Sequence, residues 1–269
     1  MEKLLKLFLS TVVIFSILSC DSKRERAEAV YKRAIHYPQG SMMSINGIKR
    51  ATEIDSTYQQ AVYELSVAYL KRGLPHKWKP QYTKAVRLDS VQRIPWRGYL
   101  YLWFYRDYKK AIADFDLSDT LTPDFIDAPQ GHSVDYWRGI CYLGLKDYKN
   151  SIAYFDKYIN TEIKESGEDW VEVTAFLYRG IAYFETGNFE AALLNFNKQL
   201  QYSRDLSADA KYYKAQILYS KGNIEEATAL IDEAINDYEV GYYNNRPYVE
   251  TLRQIYPEDL QAFKATLKP

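Results

Sequence analysis

The sequence predicts an all-α fold, an array of about six helix hairpins closed by C-terminal capping helices, and three observations predict it. First, the pairs Arg97-Gly98, Arg138-Gly139 and Arg179-Gly180, with Lys214-Ala215 as a fourth copy, recur at spacings of 41, 41 and 35 residues. Second, a fixed pattern follows each pair. An aromatic or branched residue stands at a turn (Tyr108, Tyr148, Phe189, Ile224), then a small one (Ala111, Ser151, Ala192, Ala227), then a large apolar one (Phe115, Phe155, Phe196, Ile231). Third, Lys146-Asp147, Gly187-Asn188 and Gly222-Asn223 supply helix-stop and turn chemistry between the two halves of a copy. Each copy is therefore two short amphipathic helices. The small residue lets their axes approach and the large apolar one fills the space between them; neither helix can bury its face alone.

Residues 1–19 differ from the rest. Lys3 and Lys6 precede an apolar run from Leu7 to Leu18 that is too short to span a bilayer comfortably but suits the core of a signal peptide. The run ends in Ile17-Leu18-Ser19-Cys20, after which the chain turns polar at once with Asp21-Ser22-Lys23-Arg24. This resembles the lipobox of bacterial lipoproteins, which implies that Cys20 becomes the new N-terminus and is lipidated with palmitate-type acyl chains. Two or more such chains would hold the protein stably on a membrane. An ordinary cleaved secretory signal is the rival reading. With residues 1–19 removed and Cys20 acylated, Cys141 would be the only thiol left, which excludes an internal disulfide framework.

Residues 20–238 carry the repeats. Beyond the four strong copies, an earlier one fits the same register through Leu65, Ser66, Tyr69, Gly73, Tyr82 and Ala85, and a weaker one covers 24–56 with Ile48 and Ala51 in place. The register resembles the tetratricopeptide repeat, with its small residue at position 8, aromatic at 11, Ala at 20 and Phe at 24. That resemblance implies a right-handed solenoid whose inner face is set by positions 2, 5, 9 and 12 of each first helix, and whose business is protein binding. Two departures stand out. The usual Pro closing the second helix is absent, and two copies exceed the period, with insertions at 117–133 and 160–168 that predict loops projecting from one edge. Residues 239–269 hold Pro247 and Pro257 where a first helical turn accepts proline, predicting two capping helices.

Composition narrows the function. Lys plus Arg equals Asp plus Glu at 35 each, so nothing in the charge recommends nucleic acid as a partner. Tyr is the unusual residue, with 26 copies spread at helical intervals, as packing or contact residues would be. His36, His76 and His132 lie far apart and none has a partner at ligand spacing, so no metal or other cofactor is expected. Cys141 falls on the packed face of its repeat and reads as a small buried hydrophobe rather than a nucleophile. No glycine-rich phosphate loop and no Ser-centred elbow appears. Asp116, Asp156 and Asp232 co-occur with Arg97, Arg138 and Lys214 of the same copy, which predicts an ion pair between the two helices of each hairpin.

The expected function is a membrane-anchored scaffold in the bacterial envelope, not an enzyme, facing the periplasm or the outside and holding a peptide or an envelope protein in assembly or secretion. The expected contact residues are Tyr63, Tyr99, Tyr136, Phe184, Tyr212, Gln216 and Tyr219 on the inner face. The inserted segments, with Phe125 and nearby Trp170, compete as the binding surface, and an enzyme or immunity-type inhibitor acting through 117–133 and 160–168 is the alternative in another class. A third possibility threatens the inner face: the terminal segment with Tyr248, Leu252, Ile255 and Tyr256 could fold back and turn those tyrosines into core.

Overall fold

Most helices in this chain begin where a polar side chain takes up a free amide of the first turn, and many end where the backbone turns left-handed. The computed structural model describes residues 22–267; the segment read as a signal peptide, with Cys20, lies outside the described residues. Two units result, divided between Arg93 and Ile94.

The first unit holds α1 (Lys23–Ala34), α2 (Met42–Ile54), α3 (Gln59–Lys71), α4 (Pro75–Leu88) and the first turn of α5 (Ser90–Tyr105). Ser22 and Ser41 accept from the amides of Glu25 and Ser44 and so start α1 and α2. The first hairpin and α3 close over Tyr31, Ala34, Ile45, Ile48, Ala51, Ala61, Leu65 and Ala68. In the second hairpin, Tyr82 is fully buried and donates its hydroxyl to the Arg93 carbonyl.

The second unit holds the rest of α5, then α6 (Tyr108–Leu121), α7 (Val134–Gly144), α8 (Tyr148–Glu165), α9 (Val173–Glu185), α10 (Phe189–Tyr202), α11 (Ala208–Ser220), α12 (Ile224–Glu239) and α13 (Pro257–Thr266). One turn recurs in it. Arg106, Lys146, Gly187 and Gly222 adopt φ of 52°, 60°, 75° and 83°, ending each first helix in the left-handed region. The next residues, Asp107, Asp147 and Asn188, then cap the following helix through the amides of Lys110, Asn150 and Ala191.

Within each hairpin the predicted close approach is real. A Cβ added to Gly98, Gly139 or Gly180 would lie 2.6, 2.8 and 2.6 Å from the rings of Phe115, Phe155 and Phe196, so the aromatic of the second helix rests on bare backbone of the first. Ala215 and Ile231, the fourth copy, are both fully buried.

Three expectations change. The insertions are not wholly loops: residues 117–121 continue α6, and 160–165 lengthen α8 to 18 residues, because no Gly or Pro interrupts the sequence until Gly167. Of the two capping helices only that opened by Pro257 forms; Pro247 lies in a turn closed by an Arg246–Val249 bridge, among Gly241, Asn244 and Asn245, which with Pro247 disfavour a helix. The recurrent aspartates do pair with the recurrent arginines, but one copy along. Arg138 reaches Asp116 at 3.0 Å and Arg179 reaches Asp156 at 2.7 Å, stapling neighbouring hairpins. Within a hairpin the arginine instead meets the residue just before the large apolar one: Arg97 to Asp114, Arg138 over the Tyr154 ring, Arg179 to Asn195.

Candidate functional site

The first helices of successive hairpins, α5, α7, α9 and α11, offer their inner positions to a stretch of the same chain. After α12 the chain exits through Gly241 (φ 94°) and runs from Tyr242 to Tyr256 without helix. Its start is read through the main chain: the Tyr242 carbonyl accepts from the Ala208 amide at 2.9 Å, and the Asn244 amide donates to Asp209 Oδ2 at 2.7 Å. The Asn244 side-chain amide donates to the Tyr178 hydroxyl at 2.8 Å. Two residues on, Arg246 enters a cage of three rings. Its guanidinium carbon stands 5.6, 4.9 and 5.2 Å from the ring centroids of Tyr99, Trp103 and Trp137, and Nη2 donates to the Tyr99 hydroxyl at 2.9 Å.

The chain then turns at Pro247-Tyr248 and comes back. Arg106, held in its left-handed turn, donates to the Glu250 carbonyl, and Arg253 pairs with Glu185 at 2.8 Å. Thr251 and Ile255 are buried, and α13 then packs on α12, with Phe263 edge-on to Tyr212 and Tyr219. The segment is held by polar groups reading its backbone, by one cation in an aromatic cage and by Tyr243 and Ile255 packed against the α11–α13 core, while most of its other side chains are exposed or half-buried.

Burial beneath the segment moves the acids and phenols. Asp209 is 1% exposed, and burial pushes its carboxyl up to about 7 against the lowering pull of the Asn244 amide. Tyr178, wholly buried, is pushed well above the ordinary phenol range for the same reason.

The predicted contact residues divide accordingly. Tyr99 is part of the cage. Tyr136 is core: it is 2% exposed, bonded to the Thr174 hydroxyl at 2.7 Å and packed on Trp137, Phe155 and Tyr158. Phe184 packs on Phe189 and Tyr213, Tyr212 and Tyr219 lie against Phe263, and Gln216 is half-buried between them in α11. Tyr63 belongs to the first unit, under the guanidinium of Arg93 at 3.9 Å. Sequence reasoning missed Trp103, Trp137 and Tyr178, which stand one position beside the assumed inner ones, and it missed Arg106 and Arg246 altogether. A signal existed: Arg246 sits in the least helical stretch of the second unit, among Asn, Pro and Tyr.

The insertions also meet. Ile126, His132, Ser133, Tyr158, Glu162, Glu165, Trp170 and Glu172 line a cleft of about 340 Å³, beside which Trp170 is 75% and Phe125 65% exposed. His132 Nδ1 lies 3.8 Å from Glu172; burial holds its pKa below the usual histidine value, against the pull of that carboxylate. Among the described residues no three His, Cys, Asp or Glu side chains stand together where they could hold a metal ion. His36 and His76 are exposed, and Cys141 is fully buried with its thiol pKa pushed up.

Family models described as tetratricopeptide repeat match residues 136–161 and 177–239. The chain is a tetratricopeptide-repeat protein. Its repeats align with solved structures at low identity, which carries the fold. PilW, a widely conserved type IV pilus biogenesis factor, is 16% identical, with 89% of this chain and 98% of that one aligned and a TM-score of 0.62. Pseudomonas aeruginosa pilF gives the same identity and score over 91% and 100%. YrrB, described as a TPR protein with an unusual peptide-binding site, is 19% identical over 72% and 93%, with a TM-score of 0.51. Among curated proteins no sequence matches this chain.

Proposed function

We propose that this tetratricopeptide-repeat protein is a membrane-anchored scaffold of the bacterial envelope, attached through Cys20, that holds an extended segment of a protein partner along the inner face of α5, α7, α9 and α11. It acts in assembly or secretion rather than as an enzyme. One observation carries the reading: that face already holds an extended segment, residues 242–256, by hydrogen bonds to its main chain and by a side-chain cage. A surface built to read backbone suits any partner that presents an unfolded stretch. The likeness to type IV pilus biogenesis factors and to a peptide-binding TPR protein supports an envelope role and a peptide-like ligand.

A second reading has its own observation, the cleft between the insertions with Trp170 and Phe125 exposed beside it. The two separate by measurement. Arg106→Ala with Glu185→Ala removes side chains that hold the inner segment, and Trp170→Ala with Phe125→Ala strips the cleft. Protein crosslinked to each full-length variant in solubilised membranes is then quantified, after each variant is shown to melt like the parent. The inner-face pair should change partner yield several-fold while the cleft pair leaves it unaltered; the reverse pattern assigns the partner to the cleft.

A further inference from the structure

We propose that the cage of Tyr99, Trp103 and Trp137 is a recognition pocket for an arginine side chain presented by an extended segment of the partner, and that Arg246 is an internal stand-in which keeps the pocket closed until such a segment displaces it. The inference rests on the inner face being the binding surface.

The cage is a built site. Trp103 and Trp137 are 2% and 0% exposed and meet at 89° with centroids 6.0 Å apart, and Tyr99 closes the third side edge-on to Trp137 at 5.2 Å. The Trp137 indole N–H donates to the Pro129 carbonyl at 2.9 Å, which fixes its ring. Such rigid faces lose little entropy when a ligand arrives. A planar guanidinium satisfies them and the Tyr99 hydroxyl together, lying on ring faces while donating in its own plane; a lysine ammonium, a compact and strongly hydrated charge, does this less well.

The present occupant is loosely held for a piece of core. Besides Arg246, the grip between residues 242 and 250 includes main-chain bonds, the Asn244 side chain and the Tyr243 ring stacked on Tyr238 with centroids 4.2 Å apart, while Gly241, Tyr242, Asn245, Pro247 and Glu250 are exposed. Tyr248 and Arg253 adopt φ of 72° and 58°, conformations that cost bulky residues energy and that persist only while their surroundings impose them. Beneath the segment, Asp209 Oδ1, Arg106 Nη1 and the Trp103 indole nitrogen are buried without a hydrogen-bond partner among the described residues. A segment bonded through backbone and one caged cation is what a second segment with the same chemistry can replace. The competition lowers the apparent affinity for a partner by the fraction of molecules in which the cage is open.

The test uses full-length chain and a fluorescent peptide, GYYNNRPYVETL, identical to residues 241–252, with versions carrying Ala or Lys for its Arg. The Arg peptide should bind the Arg246→Ala chain at least about tenfold more tightly than the parent, quenching Trp fluorescence from the cage. The Lys peptide should bind several-fold more weakly and the Ala peptide weaker still. In the parent, saturating Arg peptide should speed amide hydrogen exchange at residues 242–252, a readout that stands even if Arg246→Ala folds poorly. If the Ala peptide binds as well as the Arg peptide, the inner face takes peptides without selecting arginine, and this inference falls while the scaffold reading stands. If no peptide binds and exchange at 242–252 is unchanged, the inference falls, and the partner yields of the Arg106 and Glu185 variant decide the scaffold reading separately. If the parent proves to be a dimer that Arg246→Ala converts to monomer, the cage holds the tail of a second copy and the partner proposal is overturned.

Discussion

Asp209 sits in the first turn of α11, beneath the returning segment, with one carboxylate oxygen on the Asn244 amide and the other unpartnered. Its pKa of about 7 lies above the roughly 3.9 of an unfolded aspartate, and the sign follows. Below about pH 4 the group is neutral in both states. As pH rises from about 4 to about 7 the unfolded chain ionises first, so the folded state loses stability across that window, and above it the loss is complete. Asp209→Asn keeps an acceptor for the Asn244 amide and carries no charge. It should therefore gain on the order of 1–3 kcal/mol over the parent above pH 7 and nothing at pH 4. Melting curves of both proteins across that range test it; parallel curves would show that Asp209 is not desolvated. The burial of this acid was not legible in the sequence, because the Asn244 that covers it lies 35 positions along the chain.

At the scale of the hairpin, small against large is the organising contact, and it was legible from spacing alone. Gly180→Leu should destabilise the protein by about 1–3 kcal/mol through overpacking, since even a Cβ there would stand 2.6 Å from the buried Phe196 ring. Helix propensity argues the other way by about 0.8 kcal/mol and should lose. A denaturation midpoint equal to the parent's would show that the two helices can part without cost. The polar pattern was legible only in part. Arg138 is 1% exposed and bonds Asp116, Asp119 and Asp135, yet two of the three lie on the preceding hairpin. Composition shows that an arginine and an aspartate recur together. Whether they meet within a copy or across the junction depends on which hairpin each side chain faces, and a repeat of fixed period leaves both pairings open.

For the molecule as a whole, the proposed function rests on the proposed anchor at Cys20 and on the returning tail. Cys20→Ala should leave an uncleaved or mislocalised precursor that incorporates no labelled fatty acid; label retained on the variant would end the lipoprotein proposal. Among the described residues no helix is long and apolar enough to cross a membrane. The sequence by itself determined the helix hairpins, their turns, the glycine–aromatic contacts and the family, because these rest on residues a few positions apart or on a period that repeats. Only the tertiary structure decided that residues 242–256 return to the inner face, that Tyr136 is core, that insertions expected as loops partly lengthen α6 and α8, and that Arg246 stands between Trp103 and Trp137. The contacts of Arg246 join residues more than a hundred positions apart and occur once, so no periodicity announces them; they follow from the shape of a face that exists only after the hairpins of the second unit have stacked.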